Sequence, residues 1–164
     1  MIEIRRARLE DATAIAGVHV RTWQSAYEHV FGAERLAGID TAGREGTARR
    51  FATDADYDAF VAADDGRIIG FVACGSAEEE AEPRRELFAI YVLPEAWGST
   101  AASGLMHAAL DAMRGRGAAE AILWVLDDNP RARRFYEREG FSVVGRGVSP
   151  HSGLPTLEMR WRAG

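Results

Sequence analysis

The hydrophobic positions of the 164-residue chain switch between two periods. Around Ile2, Ile4 and Arg6 apolar and polar residues alternate, which predicts a short first strand. Asp11 then precedes Ile15, Val18, His19, Thr22 and Trp23 at helical spacing, so an amphipathic helix is expected over 10–26. One or two further helices are expected over 32–52, with Leu36, Ile39 and Phe51 turned inward and Gly38, Gly43 and Gly46 interrupting them. Two strand-like runs, 57–64 and 67–76, flank Asp65-Gly66, a strong hairpin signal. A third run, ELFAIYVL at 86–93, stops at Pro94. Leu105, Met106, Ala109, Leu110 and Met113 share one face of a helix predicted over 98–115. The run AEAILWVL at 119–126 predicts another apolar strand. Asp128-Asn129-Pro130 opens a helix that runs to about Glu139 and is closed by Gly140. Strands at 141–148 and 155–162, separated by Pro150, His151, Ser152 and Gly153, complete the pattern.

This order predicts an α+β, or mixed α/β, fold with a mostly antiparallel sheet. The strands at 86–93 and 119–126 flank one helix, so they are expected as parallel neighbours joined by a right-handed crossover. The length suits a single domain, 1–164, which buries roughly 70% of its unfolded surface. With 47% hydrophobic residues, intrinsic disorder is excluded as the main state. The one cysteine, Cys74, makes no internal disulfide and no multi-cysteine zinc site, and it suits a reducing cytoplasm. No apolar run approaches the ~20 residues of a membrane span. Nor do the first eight residues, Met1 to Arg8, have the apolar stretch of a signal peptide. A net charge of -5 argues against a general nucleic-acid binder. The polar stretch Glu78 to Glu86 reads as a solvated loop.

Candidate chemistry falls in two segments. In 86–107 a strand enters a turn rich in Gly, Ser, Thr and Ala that opens a helix. The first turn of a helix presents unsatisfied N–H groups and a positive partial charge, so Trp97 to Ser103 forms a plausible diphosphate cradle. A small-residue turn that packs a helix on a sheet explains the same residues equally well. It is neither a Walker loop nor a GxGxxG turn. In 124–141, Asn129 sits at an N-cap position, and Tyr136 reads as a core residue with a wet hydroxyl.

Together, in this order, the two segments resemble the GCN5-related N-acetyltransferase (GNAT) family. Val92-Leu93-Pro94 and Trp97-Gly98-Ser99-Thr100-Ala101-Ala102 occupy the places of the family's V-x-P strand end and Q/R-x-x-G-x-G/A loop. Asn129, Ala132, Tyr136, Gly140 and Phe141 match its second signature, and the RRAxxEDA opening, Arg5 to Ala12, also looks like the family. The resemblance is carried by residues 57–148, with 20–55 in the place of a variable acceptor-binding part. Two positions depart from the pattern: Trp97 replaces Gln/Arg, and Thr100 replaces the central glycine. A β-branched residue is costly there if φ is positive, and tolerated if the position is already helical.

The resemblance implies a GNAT-like sheet of six to seven strands with one parallel pair, flanked by helices. It also implies acetyl transfer from acetyl-CoA to a primary amine of a small molecule or peptide. Tyr136 is then the candidate general acid near the CoA sulfur, and Glu86, at the start of the central strand, the candidate base. Tyr91 and Val92 would pair through their backbone with the pantetheine arm, and Gly98 to Ser103 would hold the pyrophosphate, with Trp97 at the loop's start. Asn129 would contact the cofactor near its pantetheine region. The acceptor would enter over the N-terminal helices, where Trp23, Tyr27 and Phe31 line a pocket or, as an i, i+4, i+8 set, form simple core. Family members are often dimers, so a homodimer is an expectation here.

Two other readings stay open on the residues. One is a GNAT-fold module that binds acetyl-CoA or a partner without turnover, favoured by Thr100. The other is a nucleotide-binding α/β domain. No metal is expected, because His29, His107 and His151 are unclustered; His19 reads as a core or boundary histidine and Cys74 as a buried, inert thiol. The acidic residues Asp54, Asp56, Asp58 and Glu78 to Glu80 are either an attractor for cationic acceptors or plain solvated surface.

Overall fold

The computed structural model describes residues 1–32, 34, 41–76, 84–150 and 152–164, and for 26, 27 and 29–31 the backbone alone. The expectations for Leu36, Gly38, Ile39, the acidic stretch 78–83 and His151 lie outside the described residues. The apolar runs form seven strands: β1 (Ile2–Arg6), β2 (Tyr57–Asp64), β3 (Arg67–Ser76), β4 (Arg84–Val92), β5 (Glu120–Leu126), β6 (Ser142–Val148) and β7 (Pro155–Arg162). Among the described residues four α-helices accompany them: α1 (Ala12–Phe31), α2 (Thr41–Thr53), α3 (Ala101–Gly115) and α4 (Pro130–Arg138). The strands make one sheet in the order β1-β2-β3-β4-β5-β7-β6, in which β4 and β5 are the parallel pair expected.

Three boundaries differ from the pattern-based expectation. A short 3-10 turn, Leu9–Asp11, precedes α1, and the helix runs on to Phe31 rather than ending at 26. The helix expected from 98 begins at Ala101, after a 3-10 turn at Pro94–Ala96 and an irregular stretch. Arg84 and Arg85 belong to β4, which therefore starts two residues before the expected 86, instead of to a solvated loop. Their charge is accommodated by tertiary partners. Arg85 donates to the Asp56 carbonyl at 2.7 Å and lies 3.9 Å from the Asp58 carboxylate.

Opposite faces of the sheet carry different helices, because successive residues of a strand point to opposite sides. A Cβ on Gly70 would lie 3.2 Å from Leu105 of α3, whereas the ring of Phe71 sits 5.9 Å from His19 of α1. Thus α3 covers one face and α1 the other. The five residues expected on the inner face of the 98–115 helix are all buried.

At the far edge of the core, burial raises the pKa of the Asp58 carboxyl, but hydrogen bonds from Arg116 and Arg6 outweigh it and hold the group below its usual value. Beside it the Cys74 thiol is fully buried, and burial and Asp58 push it up to about 12. A thiol with that pKa is not a nucleophile near neutral pH.

The feature that positions the site is a divergence. β4 pairs with β5 through Arg84, Arg85 and Glu86 against Glu120, Ala121 and Ile122. Both strands then run on, to Val92 and Leu126, β4 keeping its register with β3 and β5 its register with β7. The sheet therefore opens as a wedge from Glu86 onward.

Candidate active site

The wedge continues into a cleft of about 1640 Å³. Its β4 wall offers backbone groups. Leu93 N–H donates to the Ile69 carbonyl of β3 at 2.8 Å, and Tyr91 and Val92 stand opposite Phe71 and Gly70. Alternation along the strand turns the N–H and C=O of Ile90 and Val92 the other way, into the gap. The Val92 carbonyl accepts a 2.9 Å hydrogen bond from Trp97 Nε1, which ties the following loop to the strand end.

That loop is shaped by Gly98, whose φ of +82° favours glycine. Thr100 is the N-cap of α3 with φ -78° and ψ -2°, so its branched side chain sits in ordinary helical backbone without strain. Trp97, Gly98, Ser99, Ala102 and Ser103 line the cleft; Ala101 is fully buried beneath it. The guanidinium of Arg131 stacks 3.5 Å from the centre of the Trp97 ring. Burial, then the nearby Arg138, lower the Arg131 pKa, and no described carboxylate pairs with it. Arg131 and Arg138 thus bring positive charge that no described carboxylate offsets to the side of the cleft that holds the α3 N-terminus. Ser103 Oγ donates to Glu139 at 2.6 Å, pinning α3 to the end of α4.

Helix α4 starts as its residues dictate: the Asn129 carboxamide oxygen accepts from Ala132 N–H at 3.2 Å, and Pro130 follows. One face of α4 carries Tyr136 into the cleft, half-buried and set against Phe135 and Phe141 with ring centres 5.6 and 6.1 Å away. Asn129 lines the same wall.

On the α1 side, Trp23 Nε1 donates to Tyr91 Oη at 2.9 Å, and His19 stacks on the Tyr91 ring at 4.8 Å. Burial, then Arg44, push His19 down to about 4, so it is neutral at pH 7 and acts as a packing residue, as the sequence suggested. Glu86 stands at the apex of the wedge, paired in register with Gly75 and Ile122. Beyond it Trp124 is 47% exposed in the cleft, over Gly147, where a Cβ would come within 3.1 Å of the indole.

The fold therefore gathers Glu86, Tyr91, Val92, Trp97, Gly98, Ser99, Ala102, Ser103, Asn129, Tyr136 and Trp23 around one cleft, while the side chains of Thr100 and Ala101, expected with them, are not on its lining. Tyr27 and Phe31 contribute only their backbone to the description. Asp54, Asp56 and Asp58 are absent from the cleft lining, and Asp58 is neutralised by arginines, so these residues do not draw cations to the site. Arg131, Trp124 and Arg44 escape a reading of the sequence. Arg131 sits two residues after Asn129 in the arginine-rich first turns of a helix, where nothing local singles it out, and Trp124 lies in a run so apolar that it reads as buried on both faces. Among the described residues no group of three metal-ligating side chains is present, and no helix is long and apolar enough to cross a membrane.

The model of the Acetyltransferase (GNAT) family matches residues 15–141. The chain belongs to the GNAT family. It is similar to an uncharacterized N-acetyltransferase of Mycobacterium tuberculosis, 33% identical over 140 residues that cover 84% of this chain and 86% of that one. The uncharacterized N-acetyltransferase YuaI of Bacillus subtilis is 30% identical over 132 residues, 79% of this chain and 75% of its own. In fold it matches the PaiA N-acetyltransferase of Thermoplasma acidophilum, solved in complex with coenzyme A, with a TM-score of 0.81 at 22% identity over 99% of both chains. As a GNAT protein it is an acetyl-CoA-dependent N-acetyltransferase by class.

Proposed function

We propose that the chain, working as a single domain in the cytoplasm, transfers the acetyl group of acetyl-CoA directly to a primary amine of a small molecule or peptide. The observation that carries this reading is the wedge itself. Its β4 edge presents the backbone N–H groups of Ile90 and Val92 and the Ile90 C=O between the Gly98–Ser103 turn with its neighbour Arg131 and the side chains of Glu86 and Tyr136. An extended amide-bearing arm fits such an edge as a strand does. The Gly98–Ser103 turn and Arg131 supply donors and charge for a diphosphate at one end, and Asn129 contacts the arm alongside.

A protonated alkyl amine, with pKa about 10, is no nucleophile. Glu86 takes its proton, directly or through water. The amine nitrogen then attacks the thioester carbon, whose oxygen is polarised by the Val92 N–H; the Tyr91 backbone, expected to share this role, faces β3 instead. The C–N bond forms, the C–S bond breaks, the departing thiolate takes a proton from the Tyr136 hydroxyl, and the second proton shed by the attacking nitrogen restores the phenol through water. Trp23 and Tyr27 flank the acceptor. The helical φ of Thr100 removes the feature that favoured a non-catalytic module. A homodimer through the edge strand β6, where Val143, Val144 and Val148 are exposed, belongs to the same reading and is measured by light scattering.

Calorimetric titration of acetyl-CoA, with ATP as control, followed by a thiol-release screen of amines, tests the function. Micromolar acetyl-CoA binding and amine-dependent thiol release are expected. Folded protein that ignores millimolar acetyl-CoA refutes it.

A further inference from the structure

Arg44 sits in the first turn of α2, half-buried, with its side chain on the lining of the cleft. A cation at a helix N-terminus is disfavoured by the helix dipole, and withdrawing it from water adds to the cost. Four other half-buried arginines have that cost offset by carboxylates: Arg5 by Asp11, Arg85 by Asp58, Arg133 by Asp127 and Glu137, Arg160 by Glu120 and Glu158. No described carboxylate pairs with Arg44. The helix that carries it, α2, packs on α1, whose Trp23 and His19 meet the Tyr91 side chain. Arg44 thus lines the cleft from a different element than the Trp97–Arg131 stack, which belongs to the loop before α3 and to α4.

We propose that Arg44 binds an oxyanion group of the acceptor, so that the preferred substrates are amines that also carry a carboxylate or phosphate. This inference rests on the acetyl-transfer reading and names its substrate class. The amine lies toward Glu86, and the anionic end pairs with the guanidinium, whose planar fork matches both oxyanions. A polyamine or other polycation meets the positive charge of Arg44 at this point and is disfavoured.

The test uses matched acceptors with the full chain: glycine against glycinamide, a dipeptide against its C-terminal amide, O-phosphoethanolamine against ethanolamine, and putrescine. Thiol release by the wild-type protein should show kcat/KM about tenfold or more higher for the anionic member of at least one pair; which pair responds separates carboxylate from phosphate. Arg44→Gln should erase that gap by raising KM for the anionic acceptor, leave kcat/KM for the neutral partner and KM for acetyl-CoA unchanged, and be partly rescued by Arg44→Lys. Calorimetric binding of the same acceptors to the CoA-loaded protein reads the inference without turnover. Preference for neutral or cationic amines overturns it. So does a rise in acetyl-CoA KM as the sole effect of Arg44→Gln, or failure of every anionic acceptor both to bind and to react. In the last case retained acetyl-CoA binding leaves the cofactor half of the functional reading intact.

Discussion

His19 offers a stability test that is independent of catalysis. In the unfolded chain its imidazole titrates near its ordinary value of 6.5; in the fold, burial and then Arg44 hold it near 4. Between those values the unfolded state binds a proton that the folded state refuses. The stabilisation is therefore fully present above pH 6.5 and is lost as the pH falls from there through 4. From the two values the loss is about 2 kcal/mol at pH 5 relative to pH 8, since each pH unit between them is worth about 1.36 kcal/mol. For a domain of this length that corresponds to a fall in Tm of about 4–8 °C. His19→Phe keeps an aromatic ring against Tyr91 and Phe71 and removes the titration. Thermal unfolding of both proteins at pH 8 and pH 5 isolates the effect, because contributions of the other histidines cancel in the difference. The wild-type protein should lose that increment relative to His19→Phe. Parallel pH dependences for the two proteins would refute the argument that burial sets the His19 charge.

Three further outcomes follow from the site. Tyr136→Phe should lower kcat about tenfold or more while calorimetry shows unchanged acetyl-CoA affinity, since only the proton to the thiolate is removed; an unaltered kcat takes Tyr136 out of the mechanism. Glu86→Gln should lose the acidic limb of the pH–rate profile, and a limb that persists assigns the base elsewhere. Arg131→Gln should raise KM for acetyl-CoA about tenfold, the worth of one charge-assisted contact, and leave KM for S-acetylpantetheine, which lacks the diphosphate, where it was. An equal effect on both donors would show that the stack on Trp97 acts only as packing.

Much of the fold is legible from pattern. The hairpin at Asp65-Gly66, the parallel pair and the buried face of α3 follow from periodicity and turn chemistry, which act locally. Arg84 and Arg85 read as loop because a charged run looks solvated until a distant carboxylate, Asp58, is brought to it. Trp124 is invisible as a cleft residue because nothing in AILWVL tells which face loses its cover when β4 and β5 part. The role open to Thr100 depends on one backbone angle, and the sequence does not carry that angle. Arg44 stands out only by its place on the cleft lining, a property of the assembled fold.

The three-rung junction between β4 and β5 has a mechanical consequence. Beyond Glu86 the seven strands behave as two panels, four on one side and three on the other, hinged at one end. Amides at the centre of a sheet ordinarily exchange their hydrogens slowly, yet those of Ile90 and Val92 border an open seam and belong kinetically with surface loops. A ligand laid along that seam acts as a splint. It joins the panels into one cooperative unit, so its occupancy registers in the exchange of β5 and β7 well beyond the atoms it touches.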